Sequence, residues 1–259
     1  MDEAATARTL PAAALVTGAA KRIGRHVCER LAREGYSVVL HCSERSRGEA
    51  EASAAKIGAA GGTAAIFACD LAEPAELGRL VTEAGRVFGP FSLLVNNAAV
   101  FEADEAASFD LEMWERHLAV NLRAPVVLSR DFARDLPAGI EGAIVNIIDQ
   151  RVWRPTPQYF TYSLSKAALW TATRTMAQAF ASRRIRVNAV GPGPVLPNLV
   201  HGEPGFAREV AGLPLHREVT LDDIGDAVIY LARARNVTGQ MIAVDAGQHL
   251  AWETPDVVP

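Results

Sequence analysis

The chain has 259 residues, a formal net charge of −4, 49% hydrophobic residues and three cysteines. That balance offers no general attraction to nucleic acid or to an anionic membrane surface. Cys28, Cys42 and Cys69 form no CxxC and have no histidine at zinc spacing, which argues against a metal site or a disulfide framework and fits a reducing compartment.

Taken in chain order, short apolar runs alternate with longer helical patterns. Ala13–Val16 reads as a first strand. A helix over 22–34 follows, with Ile23, Val27 and Leu31 on one face and Gly35 beyond its end. Tyr36–Leu40 is a second strand, 49–57 a helix, Ala64–Ala68 a third strand, and 74–88 a helix begun by a favourable proline. Phe91–Val95 is a fourth strand. The long helical stretch 111–136 contains Pro125, which predicts a kink there. Strands at 142–148 and 185–190 flank a loop and long helix over 155–182, and a helix at 221–233 precedes a last strand at 240–244. Alternating β and α segments with nearly continuous apolar strands predict an α/β domain whose parallel sheet is covered on both faces. No linker or repeat divides residues 1–259, so a single domain is expected. Residues 1–10 are expected to be flexible, and the Pro/Gly-rich stretch within 191–215 to be an irregular loop over an active site. The acidic start has no apolar core behind it and no run approaches bilayer-spanning length, so a soluble, cytoplasmic protein is expected.

Tyr162 and Lys166 lie four residues apart, one turn apart on a helix face. A lysine cation beside a phenol lowers its pKa, which predicts a general acid/base working near neutrality. At the other end of the chain the first strand runs into Thr17-Gly18-Ala-Ala-Lys21-Arg22-Ile23-Gly24 and then a helix, the arrangement a pyrophosphate requires. Arg22 stands where a glycine is expected. Strand two ends in His41-Cys42-Ser43 rather than an acidic residue, with Lys21, Arg22, Arg45 and Arg47 in the vicinity; this favours a cofactor 2′-phosphate, NADP over NAD, and Glu44 argues the other way.

With these features the chain resembles the short-chain dehydrogenase/reductase family over almost its whole length. The matching motifs are Thr17-Gly18…Gly24, Asp70-Leu71, Asn96-Asn97-Ala98-Ala99, Asn121, Tyr162…Lys166, Pro192-Gly193 and Val244-Asp245-Ala-Gly247. The resemblance implies a Rossmann-type, doubly wound sheet of about seven strands. It implies that Gly18, Ile23, Asp70, Leu71, Asn97 and Ala98 contact the cofactor, as do Pro192 and Gly193, with Lys21, Arg22, His41 and Ser43 at the same end. Lys166 would hold the nicotinamide ribose and tune Tyr162. Asn121 would bend its helix and position a water; a plain helix-kink residue beside Pro125 is the other reading. Asp245 and Gly247 read as structural turn residues. Association as a dimer or tetramer through the long helices from Leu111 and Tyr159 is implied as well.

The departure from the family is Asp149, thirteen residues before Tyr162, where a serine is usual. A carboxylate accepts hydrogen bonds but does not donate them. It would repel a ketone oxygen that gains charge and would complement the N–H donors of a nitrogen heterocycle. Arg22 in the glycine turn, Asp149 with Tyr162 and Lys166, and Phe101 after Asn97-Ala-Ala-Val are together similar to pteridine reductases and to bacterial dihydromonapterin reductases. That resemblance implies NADPH-dependent reduction of a dihydropterin or dihydrofolate. The ring would stack on Phe101, with Arg22, Asp149 and Tyr162 as its polar contacts. Trp153, Tyr159 and the segment 194–200 are further pocket candidates. The alternatives are an NADP-dependent reductase of a ketone, alcohol or acyl substrate, and a non-catalytic NADP-binding sensor.

Overall fold

The computed structural model describes residues 13–197 and 202–251. The expected flexible start at 1–10 and residues 198–201 of the expected substrate loop lie outside them.

Seven strands form one parallel sheet in the order β3-β2-β1-β4-β5-β6-β7. They are β1 (Ala13–Val16), β2 (Ser37–Cys42), β3 (Thr63–Ala68), β4 (Leu93–Asn96), β5 (Gly142–Ile147), β6 (Ile185–Pro192) and β7 (Met241–Val244). The helices are α1 (Arg22–Arg33), α2 (Arg47–Ala59), α3 (Pro74–Phe88), α4 (Leu111–Leu118), α5 (Ala124–Asp135), α6 (Phe160–Phe180), α7 (Gly202–Ala211) and α8 (Leu221–Arg233). Alternation along the strands divides the core in two. Ala13 and Leu15 pack with Leu77 and Leu80 of α3, Leu128 and Phe132 of α5 and Met176 of α6. Ala14 and Val16 pack with Val27 and Leu31 of α1, Ile57 of α2 and Ile224 and Val228 of α8. Because both faces are buried, the strands read as continuous apolar runs. The order reverses between β1 and β4, and the crevice beyond their carboxyl ends is where such sheets bind ligands.

Two expectations need correction. The distortion of the long helix lies at a π-helical turn, Ala119–Arg123, and not at a kink in the middle of a continuous helix. Pro125 has no N–H for the carbonyl four residues earlier, and the Ala124 N–H reaches back to the Ala119 carbonyl, so the strain is absorbed one turn N-terminal to the proline. The stretch 191–215 is not irregular throughout: β6 runs to Pro192 and α7 occupies Gly202–Ala211. Helix α8 is capped by a reciprocal box between Thr220 and Asp223. Among the described residues, no helix is long and apolar enough to cross a membrane.

Candidate active site

The glycine turn is built by contacts that exclude side chains. Gly18 has φ +62°, and a Cβ there would stand 2.8 Å from Ala98 Cα. A Cβ on Gly24 would stand 2.2 Å from the Gly18 oxygen. Asn97 crosses the gap, its Nδ2 donating to the Thr17 oxygen at 2.9 Å and the Gly18 oxygen at 3.0 Å. Thr17 Oγ1 accepts the Asn97 and Ala98 N–H groups, both at 3.0 Å. The motifs after β1 and β4 therefore form one cradle, open to the crevice above it.

Arg22 takes the left-handed conformation, φ 53°, that glycine usually supplies. Its guanidinium donates to the carbonyls of Pro197, at 3.1 Å, and Leu196, at 3.4 Å, and so ties the turn to the segment after β6. Gly193 is fixed by close approach: a Cβ there would lie 2.7 Å from Asp245 Cα. Asp245 itself accepts from the Gly247 and His249 N–H groups and the His249 ring, which agrees with a structural role.

His41 is buried at the end of β2. Its Nδ1 accepts the Gly18 N–H at 3.2 Å, and its Nε2 faces the Cys69 carbonyl at the same distance. Burial holds its pKa down at about 4. The ring is therefore a neutral brace for the glycine turn and offers no charge to a phosphate. Lys21, Ser43 and Arg45 line the crevice beside it. Glu44 makes a two-point contact with Arg47, Oε1 to Nη2 at 2.7 Å and Oε2 to Nε at 2.9 Å. The acidic residue that argued against a 2′-phosphate is thus matched by a cation, and neither member of the pair lines the crevice.

The crevice has a volume of about 1370 Å³ and is lined by Gly18, Lys21, Arg22, Ile23, His41, Ser43, Asp70, Leu71, Asn97, Ala98, Phe101, Asp149, Tyr162, Lys166, Pro192 and Gly193, among others. The expected catalytic, cofactor and substrate residues, Asn121 excepted, are on this surface, as is Tyr159. Trp153 is not: it stands edge-on to His249 outside the crevice. A dinucleotide-sized volume over a cradle with no room for side chains, with Lys21 and Arg45 beside one acid, Glu49, at the far end, fits a nicotinamide dinucleotide phosphate.

At the near end, Asp149 caps a short 3₁₀ turn, Gln150–Val152, and its carboxylate is held by three donors. Tyr162 Oη donates to Oδ2 at 3.0 Å, Arg151 Nη1 to Oδ2 at 3.2 Å, and the Arg151 backbone N–H to Oδ1 at 2.8 Å. Lys166 Nζ donates to the Ile147 carbonyl at 2.8 Å. Burial lowers its pKa to about 8, partly offset by Asp149. The expectation that this lysine makes the phenol more acidic is not met. Burial first, then the charge and hydrogen bond of Asp149, push the Tyr162 phenol well up, with Arg151 acting in the opposite direction. Among these side chains Tyr162 is a neutral proton donor.

Asn121 is fully buried on the π turn. Its Oδ1 accepts the Val100 N–H at 2.8 Å, and its Nδ2 donates to the Val100 carbonyl at 2.9 Å and to Ser165 Oγ at 3.1 Å. Both amide hydrogens are used and Oδ1 keeps one lone pair; the side chain pins the segment leading to Phe101 against α6. His117 extends that pin, its ring nitrogens meeting Thr161 Oγ1 at 2.7 Å and the Glu102 N–H at 3.4 Å. Phe101 is 41% exposed, stacked on Tyr159 at 4.2 Å with an interplanar angle of 6° and edge-on to Tyr162 at 4.7 Å. Sequence reasoning missed Arg151. The available signal was a cation two residues after an acid in a turn that leads to the catalytic helix.

A family model described as enoyl-(acyl carrier protein) reductase matches residues 18–249. A crystal structure of FolM alternative dihydrofolate reductase 1 from Brucella canis, complexed with NADP, superposes with a TM-score of 0.91 at 48% identity, covering 96% of this chain and 98% of that one. A short-chain type dehydrogenase/reductase from Picea abies is 32% identical over 91% of each chain. The 3-oxoacyl-[acyl-carrier-protein] reductase FabG of Staphylococcus epidermidis is 30% identical over 92% of this chain and 98% of its own. With its motifs in order along the chain and converging on one crevice, the protein belongs to the short-chain dehydrogenase/reductase family of oxidoreductases.

Proposed function

We propose that the protein reduces a ring C=N bond of a dihydropterin or dihydrofolate-type heterocycle with NADPH. The observation that carries this reading is the Tyr162–Asp149 contact at 3.0 Å: a neutral phenol beside an acceptor-only carboxylate. The likeness to a dihydrofolate reductase at 48% identity supports it.

Gly18, Ile23, Asn97 and Ala98 would hold the pyrophosphate and adenosine, and Lys21, Ser43 and Arg45 the 2′-phosphate. Lys166, with donors beyond the one given to Ile147, would hold the nicotinamide ribose. The cofactor supplies the hydride. Tyr162 gives its proton to the ring nitrogen, and Asp149 accepts an N–H of the ring. Phe101 stacks on the flat ring, backed by Tyr159, and Arg22 positions the 194–197 side of the crevice. Alignment of two flat rings at reacting distance accounts for much of the rate. The enzyme works in the cytoplasm as a dimer or tetramer.

A second reading, reduction of a ketone or acyl substrate, is favoured by one observation. Arg151 compensates the Asp149 charge at 3.2 Å and so weakens the repulsion of a developing oxyanion. The test is NADPH oxidation with a 7,8-dihydropterin beside a panel of ketones and 3-oxoacyl thioesters. Dihydropterin turnover that is lost in Asp149→Ser is the expected result. Turnover of carbonyl substrates with none of the dihydropterin overturns the first reading in favour of the second, and tight NADPH binding without turnover favours a sensor.

A further inference from the structure

Arg151 is the part of this site that the family pattern does not assign. Its backbone N–H and its guanidinium supply two of the three hydrogen bonds that Asp149 receives. Its Cζ lies 5.3 Å from the Tyr159 ring centre and 5.7 Å from that of Phe101. Its Nε is buried without any partner. A surface arginine turns such a donor to water, and leaving it unpaired is unfavourable. The guanidinium is therefore held by the carboxylate and the two stacked rings together.

A carboxylate has about four lone-pair positions. Two on Oδ2 are taken by Tyr162 and Arg151, and one on Oδ1 by the Arg151 N–H, which leaves one. We propose that Arg151 is a positioning residue that keeps Asp149 an ionised acceptor aimed into the crevice, with a single lone pair left for one N–H of the substrate. Its role with the heterocycle rests on the function proposed above; its role toward Asp149 does not.

The charged and titratable groups around the carboxylate come from three elements. Tyr162 and Lys166 face it from α6, and Arg151 from its own turn. His117 of α4 stands one ring further back, 6.1 Å from Tyr162, and burial lowers its pKa. Arg151 is thus the one cation of this group bonded to Asp149. Without it, a carboxylate in an apolar setting takes up a proton at higher pH.

Two measurements separate the claims. The first needs no substrate: carbon-13 NMR of carboxyl-labelled aspartates, with Asp149 assigned through Asp149→Asn, in the wild type, Arg151→Gln and Arg151→Lys. The Asp149 carboxyl is expected to take up its proton at a higher pH in Arg151→Gln than in the wild type, because the neighbouring cation is gone, with Arg151→Lys nearer to the wild type. Coincident wild-type and Arg151→Gln titrations, in proteins that bind NADPH equally, overturn the proposal. The second measurement is quenching of oxidised pterin fluorescence by the NADP⁺ complex. Arg151→Gln is expected to bind pterin about tenfold more weakly at pH 7 and to lose affinity further as pH falls. Pterin affinity equal to that of the wild type at every pH overturns the substrate-directed half of the proposal. A wild type that does not bind pterin, with the NMR shift present, sinks the proposed function and leaves Arg151 the keeper of Asp149.

Discussion

Gly24→Ala sets two physical effects against each other, and the sign of the result decides between them. Gly24 lies in α1, where alanine is favoured over glycine by about 1 kcal/mol. Propensity alone therefore predicts stabilisation. The added methyl would stand 2.2 Å from the Gly18 oxygen and 2.5 Å from Asn97 Nδ2, so the glycine turn must move or the amide must leave. If the amide leaves, its bonds to Thr17 and Gly18, at 2.9 and 3.0 Å, are lost at about 1 kcal/mol each, and the crowding adds about 1–3 kcal/mol. The net is a destabilisation of about 2–4 kcal/mol, or a Tm lower by roughly 5–15 °C for a chain of this size. Gly78 is the control: it lies in α3, and a Cβ there meets nothing within 4 Å. Gly78→Ala should therefore gain about 1 kcal/mol by propensity alone. Urea unfolding of the three proteins, with NADPH titration of each, is the assay. Gly24→Ala as stable as Gly78→Ala, with undiminished NADPH affinity, would refute the close-packed cradle.

Two further outcomes follow from the ionisable groups. After burial, Asp149 raises the Tyr162 phenol pKa by charge and by hydrogen bond, so in Asp149→Asn the phenolate should form at a lower pH than in the wild type. Absorbance near 295 nm, corrected with the matching Tyr162→Phe proteins, reads it, and an unchanged or higher midpoint contradicts the assignment. His41 is held at about 4 against an ordinary 6.5. Its folded value is depressed, so the stability it contributes is complete above pH 6.5 and is lost as pH falls toward 4, to a total of about 3 kcal/mol. Urea unfolding from pH 7 to 4 should show that loss in the wild type and a smaller one in His41→Gln; parallel curves would remove His41 from the account.

The sequence carried the sheet well, because strands buried on both faces appear as unbroken apolar runs bounded by glycine turns. Thr17–Gly24, Asn97 and the Tyr162–Lys166 pair were visible for a related reason: close backbone approach and fixed helical spacing leave few residue choices. What stayed hidden depended on direction in space. The Tyr162–Lys166 spacing says that the two share a helix face, but not that the ammonium points to the Ile147 carbonyl while the phenol points to Asp149. A proline marks a disturbed helix but not which turn absorbs it, and here that turn holds Asn121. The low pKa of His41 is likewise set by burial in the fold, partly offset by the Cys69 carbonyl 28 residues away along the chain, beyond the reach of any local pattern.

Arg22 belongs at once to the glycine turn that lines the crevice and to the strap formed by Leu196 and Pro197. A guanidinium drawn toward a phosphate has less to give to those two carbonyls, and one that keeps them has less to give to the phosphate. The two halves of the crevice thus share a single set of donors. Ligands that drew on that guanidinium from the two sides would be energetically linked, and such a linkage is reciprocal: whatever the first ligand does to the affinity for the second, the second does equally to the affinity for the first.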